Sequence, residues 1–167
     1  TVVLNADIPE YEYIRSVCMD HPVISYGYKG DTIRLNTLEH KGNTLTCLCS
    51  INNEPHTLTL PLIGEFQACN ALCAIGIIMA EDRFAIEDII TACSQLAPVK
   101  GRMEMIAHYP TVIIDYAHTP DALAHALQAL RPHCEGELWV VFGCGGDRDA
   151  GKRPEMGKVA ADNADHI

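Results

Sequence analysis

From residue 111 onward the chain repeats one order, an apolar run of strand length, a polar loop and a helix, and that order restricts the fold more than any other feature. The first run is Thr111-Val112-Ile113-Ile114-Asp115. Thr119-Pro120 follows as N-cap and first helical residue, and Leu123, Ala126, Leu127 and Leu130 supply a buried helical stripe. The second run, Leu138-Trp139-Val140-Val141-Phe142, ends in Gly143-Cys144-Gly145-Gly146, and Pro154 opens another helix. Strand, helix, strand, helix is the signature of an α/β fold with a parallel sheet and right-handed crossovers. Ligands bind such sheets beyond the carboxyl ends of the strands, where helix N-termini present free N–H groups. Residues 115–120 and 143–153 fall at that edge, and both segments are dense in polar side chains.

The first third of the chain alternates short β-rich runs with turn residues, at 2–4, 22–26, 32–38, 44–51 and 56–62. Gly42-Asn43 and Asn52-Asn53 lie between runs and tolerate positive φ, so antiparallel hairpins are expected there. From 65 to 80 apolar residues occupy nearly every helical face, the pattern of a buried helix. Ile86, Ile89, Ile90, Cys93 and Leu96 share one face of a second helix expected over 86–96. The sequence Ala97-Pro98-Val99-Lys100-Gly101 breaks that pattern and places a domain boundary within 98–108.

With 48% hydrophobic and 20% charged residues among 167, the chain has enough apolar side chain to build a core. No apolar run approaches the roughly 20 residues of a membrane helix, and the N-terminus carries no signal pattern, which favours the cytoplasm. The eight cysteines, Cys18, Cys47, Cys49, Cys69, Cys73, Cys93, Cys134 and Cys144, lie in apolar stretches without paired C-x-x-C spacing and read as reduced core thiols. A net charge of −10 argues against nucleic acid or an anionic membrane as partner, leaving Arg148, Lys152, Arg153 and Lys158 as the one basic cluster. The chain opens at Thr1 in an apolar run and stops at Ile167, so a piece of a longer protein is expected.

Asp115 stands where a strand should end and could accept hydrogen bonds from ribose hydroxyls, with His118 on the same edge; both would serve equally in a helix-capping loop. Arg148, between Asp147 and Asp149, could grip a ligand carboxylate bidentately or be held in a structural pair. Arg102 could reach a phosphate at the domain junction or lie exposed in a linker. Asn70, inside an apolar helix, is expected to be buried and therefore to need a cap or a ligand edge as partner. The glycines at 143 and 145 do not form a dinucleotide fingerprint, because Arg148 stands where the third glycine would fall. No metal-ligand cluster, nucleophile triad or G-x-x-x-x-G-K-[ST] loop stands out.

Five segments, Asn5-Ala6-Asp7, Leu60-Pro61-Leu62-Ile63-Gly64-Glu65-Phe66, Gly101-Arg102-Met103-Glu104, residues 112–123 (VIIDYAHTPDAL) and residues 141–157 (VFGCGGDRDAGKRPEMG), together resemble the Mur ligase family. The last two look like its branch that adds meso-diaminopimelate or L-lysine to UDP-N-acetylmuramoyl-L-Ala-D-Glu. The resemblance implies an α/β architecture in which residues 1–103 end a central ATP-binding domain of mixed strands and helices. Residues 104–167 then begin a Rossmann-like, amino-acid-binding C-terminal domain. It implies a cytoplasmic, monomeric ligase of cell-wall synthesis that uses ATP and Mg2+ and works through an acyl-phosphate. The phosphate loop and magnesium ligands would lie outside this chain, so the chain alone is expected to be inactive. The resemblance makes Arg102 the phosphate-contacting catalytic arginine and assigns Asn70, Asp115 and His118 to the nucleotide. It gives Arg148 to the incoming amino acid, supported by Asp147, Asp149, Lys152 and Arg153. Gln67 departs from the family's usual asparagine on the adenine side. A folylpolyglutamate synthase-like ligase and a non-catalytic nucleotide- or peptide-binding module are the other readings open to such a chain.

Overall fold

The computed structural model describes residues 1–145 and 151–167, and these divide into two compact units, Thr1–Ala97 and Pro98–Ile167. The first is built on a five-stranded sheet in the order β1 (Val2–Asn5), β2 (Val23–Gly27), β3 (Ile33–Lys41), β4 (Thr44–Ile51) and β5 (Glu54–Leu60). Strands β1, β2 and β3 run parallel, and β3, β4 and β5 form antiparallel hairpins. The hairpins reverse where the turn residues demand it, at Gly42 (φ 56°) and at Asn52 and Asn53 (φ 50° and 69°). Along β4, Leu45, Cys47, Cys49 and Ile51 are buried and Leu48 is exposed, the period-two alternation of a sheet with one covered face. A short helix, α1 (Tyr11–Val17), carries the chain from β1 to β2.

Helix α2 (Glu65–Ala80) lies on the sheet and buries Ala68, Ala71, Leu72, Ile75 and Gly76. At Gly76 an added Cβ would lie 2.9 Å from Val3 Cγ1 and 3.2 Å from Ile24 Cγ2, so helix and strands approach too closely for a larger residue. The expectation of burial on every side is corrected: Phe66, Ile77 and Ile78 are exposed, because the sheet covers only one flank of the helix. Helix α3 (Ile86–Cys93) stops three residues short of the expected end, with Leu96 exposed. Residues 94–96 each donate to the carbonyl three positions back, a tight winding that ends ahead of Pro98. All eight cysteines are free, and Cys47, Cys49 and Cys93 are buried in this core.

The second unit contains a two-stranded antiparallel sheet, β6 (Glu104–His108) with β7 (Thr111–Ile114), then α4 (Pro120–Leu130) and α5 (Lys152–Asn163). Thr119 caps α4 by accepting the N–H of Ala122 at 3.2 Å, with Pro120 as the first helical residue. Leu123, Leu127, Val140, Met156 and Ala160 form the core. The apolar run at 138–142 is not a full strand among the described residues, where its pairing is the single parallel bridge Trp139–His166. Thus β7 pairs with a neighbour in sequence that the hydrophobic pattern does not announce, while the parallel component rests on that bridge. A hairpin needs only a short turn, whereas parallel pairing must close a long crossover first. Helix α5 begins two residues before Pro154, which sits in its first turn, where no backbone donor is needed. No helix among the described residues is long and apolar enough to cross a membrane.

Candidate functional site

Pairing of Glu104 with Ile114 sets the open end of the β6–β7 hairpin, so residues 101–103 come to lie beside 115–117. Asp115 joins the two segments. Its Oδ1 accepts the N–H of Met103 at 3.0 Å and its Oδ2 accepts the N–H of Ala117 at 2.9 Å. Met103 is fully buried with φ 47°, a left-handed conformation that a residue with a side chain keeps only under constraint, and the Asp115 bond supplies one. Gly101 has φ 69° and donates its N–H to Glu104 Oε2 at 2.7 Å, while Arg102 N–H reaches the Val99 carbonyl at 2.9 Å.

On this bent strap the Arg102 side chain is exposed, and its Cζ lies over the Tyr116 ring, 4.8 Å from the centroid. Tyr116 meets His118 edge-on, with centroids 5.3 Å apart and planes at 67°. Nδ1 of His118 lies 3.1 Å from the Tyr116 carbonyl, which fixes Nδ1 as the donor in the neutral ring. Among the described residues no carboxylate pairs with Arg102, so its N–H fork is available to an anion. The structure therefore brings together three of the sequence-derived candidates, Arg102, Asp115 and His118, and adds Tyr116. The available signal for Tyr116 was an aromatic placed between an aspartate and a histidine in a polar loop.

Asn70 corrects an expectation. It is exposed on α2 rather than buried, and its amide donates to Gln67 Oε1 at 3.2 Å across one helical turn. The uncovered flank of α2 is the reason. Asn70 and Gln67 belong to the first unit and act there as a pair of amides on an open helix face. Lys152 and Arg153 lie in the first turn of α5, and Arg153 is exposed. The candidates Asp147, Arg148 and Asp149 lie outside the described residues.

A second polar arrangement, which sequence reasoning did not single out beyond its motif, closes the ends of β1 and β2. Asp7 accepts the N–H groups of Tyr28 at 2.8 Å and Lys29 at 2.9 Å, and Asn5 Oδ1 accepts the N–H of Asp7 at 2.8 Å. The hydroxyl of Tyr28 donates to Glu65 Oε1 at 2.5 Å, tying this turn to the first turn of α2. Burial first, and then that bond to a carboxylate, push the Tyr28 hydroxyl well above its ordinary range. The cradle is filled by the protein's own carboxylate, which makes it a structural device.

Two family models match the chain: the Mur ligase middle domain over residues 1–78 and the Mur ligase glutamate ligase domain over residues 101–167. The chain is 48% identical over 148 residues to the UDP-N-acetylmuramoyl-L-alanyl-D-glutamate--2,6-diaminopimelate ligase of Zymomonas mobilis subsp. mobilis, covering 87% of this chain and 30% of that relative. A solved diaminopimelate ligase of the same description aligns with TM-score 0.71 and 30% identity, over 99% of this chain and 35% of that structure. A complex of FPGS with AMPPCP and folate aligns with TM-score 0.80 at 18% identity, over 99% of this chain and 41% of the other, a likeness of fold alone. The chain thus spans about a third of the length of these relatives.

Proposed function

The chain belongs to the Mur ligase family, and on that premise we propose that it is part of an ATP-dependent amide ligase of peptidoglycan precursor synthesis. The reaction is addition of meso-diaminopimelate, or L-lysine, to UDP-N-acetylmuramoyl-L-Ala-D-Glu in the cytoplasm, a step on which cell shape and division depend. Residues up to 103 then belong to the central, nucleotide-binding domain, and those from 104 onward to the amino-acid-binding domain. The observation that carries the reading is the meeting of Arg102, Asp115 and His118 at the open end of one hairpin, with the arginine's donors unclaimed by any described carboxylate.

In this reading the substrate's glutamyl carboxylate attacks the γ-phosphorus of ATP and ADP leaves. The amine of the incoming amino acid then attacks the acyl carbon, and inorganic phosphate departs as the amide forms. Arg102 stabilises negative charge on the transferring phosphoryl group, an electrostatic role suited to a guanidinium that no described carboxylate neutralises. Asp115 keeps lone pairs beyond those committed to Met103 and Ala117, and these accept from ribose hydroxyls. His118 borders the same edge. Asn70 contributes to nucleotide binding, Gln67 replaces the asparagine of the adenine-side contact, and Arg148 grips the amino acid's carboxylate, with Asp147, Asp149, Lys152 and Arg153 in support. Magnesium would be held by residues of the full-length ligase outside this chain, together with the phosphates of ATP.

The test is phosphate release by the full-length ligase containing this chain, with ATP, magnesium and UDP-N-acetylmuramoyl-L-Ala-D-Glu, adding diaminopimelate, lysine or neither. Release that depends on one diamino acid supports the reading and names the substrate. Folded protein that releases phosphate only with glutamate and a folate would replace it with the folate-type ligase. Arg148→Ala is expected to raise KM for the amino acid far more than KM for ATP.

A further inference from the structure

We propose that Tyr116 is the positioning residue of Arg102, presenting the guanidinium to its anionic partner without neutralising it. The inference rests on the ligase reading for what Arg102 acts on, but the contact itself does not. An exposed arginine on a bent strap has many rotamers, and a carboxylate that oriented it would also occupy its donors and cancel its charge. An aromatic face orients a cation through the ring quadrupole and leaves the N–H fork in the plane of the guanidinium free.

The geometry fits that division of labour. The Arg102 Cζ lies 4.8 Å from the Tyr116 centroid, within the distance at which such attraction operates. Tyr116 is 64% exposed, so it is not kept for the core. Its ring also packs against His118 in a T-shaped contact, with the His118 Nδ1 in turn held against the Tyr116 carbonyl. The main chains on both sides are pinned by Asp115, through Met103 N–H next to Arg102 and Ala117 N–H next to Tyr116. One carboxylate thus fixes the backbones that carry cation and ring, and the ring fixes the cation.

The contact is tested by NMR of the arginine side chains in this chain. The Arg102 Nε–H and δ-methylene signals are expected upfield of those of exposed arginines. The shift should persist in Tyr116→Phe, which keeps the ring, and vanish in Tyr116→Leu with the rest of the spectrum unchanged. The consequence is tested by kinetics of the full-length ligase. Tyr116→Leu should lower kcat about two- to five-fold, the size of an exposed cation–π contact, while Tyr116→Phe restores it. In an Arg102→Gln background Tyr116→Leu should have no further effect. An absent ring-current shift overturns the proposal, and so does an undiminished Tyr116→Leu effect without Arg102. A ligase inactive with every amino acid would overturn the ligase reading, while the NMR result would still decide the contact.

Discussion

Gly27→Ala should be among the most damaging single-methyl additions in the first unit. Gly27 has φ 119°, a backbone region that side-chain-bearing residues rarely enter, and an added Cβ would overlap Asp7 Oδ2 and lie 2.8 Å from its Cγ. The backbone strain costs about 1–3 kcal/mol. Displacing Asp7 breaks two hydrogen bonds to a carboxylate, from Tyr28 and Lys29, each worth about 1 kcal/mol at these exposed donors. The expected loss is therefore about 3–5 kcal/mol, a large part of the stability of a small domain. Asp7→Ala alone should cost about 2 kcal/mol. Added to Asp7→Ala, Gly27→Ala should cost only the strain, so the double-mutant cycle should show about 2 kcal/mol of coupling. Each unit has its own reporter: Cys47 and Cys49 are buried in the first, and the single tryptophan, Trp139, lies in the second. Denaturant-dependent labelling of the two thiols should shift strongly to lower denaturant in Gly27→Ala, while the Trp139 transition stays in place. A loss below about 1 kcal/mol, or additivity of the two substitutions, would refute the cradle as the reason for glycine.

Asp115→Ala should free Met103 from its left-handed conformation, and hydrogen exchange at the Met103 and Ala117 amides should accelerate while Leu123 and Leu127 in α4 stay protected. Burial, with Cys69 and Cys93 nearby, pushes the Cys47 thiol up to about 11, and burial, with Cys47 nearby, does the same for Cys49. The unfolded chain therefore loses these protons first. The stabilisation is complete below about pH 9 and is lost as pH rises towards 11. The first unit's denaturation midpoint by circular dichroism should fall across that window, and less so in Cys47→Ala with Cys49→Ala. Asp165 accepts the Leu138 N–H at 2.7 Å and pairs with Arg131 at 2.8 Å, and these contacts hold its carboxyl below the usual range. Its contribution is present above about pH 4 and is lost as pH falls further. The acid limb of the second unit's stability, read from Trp139 emission in denaturant, should flatten in Asp165→Asn.

The hairpins of the first unit were legible in the sequence because their determinants are local. Alternation along β4 sorts side chains to two faces, and Gly42, Asn52 and Asn53 supply the positive φ that the turns need. The same holds for the start of α4, where Thr119 and Pro120 write a cap directly into the chain. Tertiary structure decided which flank of α2 is covered, and hence that Asn70 is exposed, because burial depends on which residues distant in sequence arrive to cover a surface. It also decided the partner of β7. The hydrophobic period of residues 111–114 specifies a strand but not its neighbour, and the neighbour turned out to be Glu104–His108. That pairing is what carries Arg102 across to Tyr116 and Asp115. Type and polarity marked Arg102 and Asp115 as candidates and left Tyr116 unmarked, and the meeting of all three is a matter of register, which a chain acquires only when its strands pair.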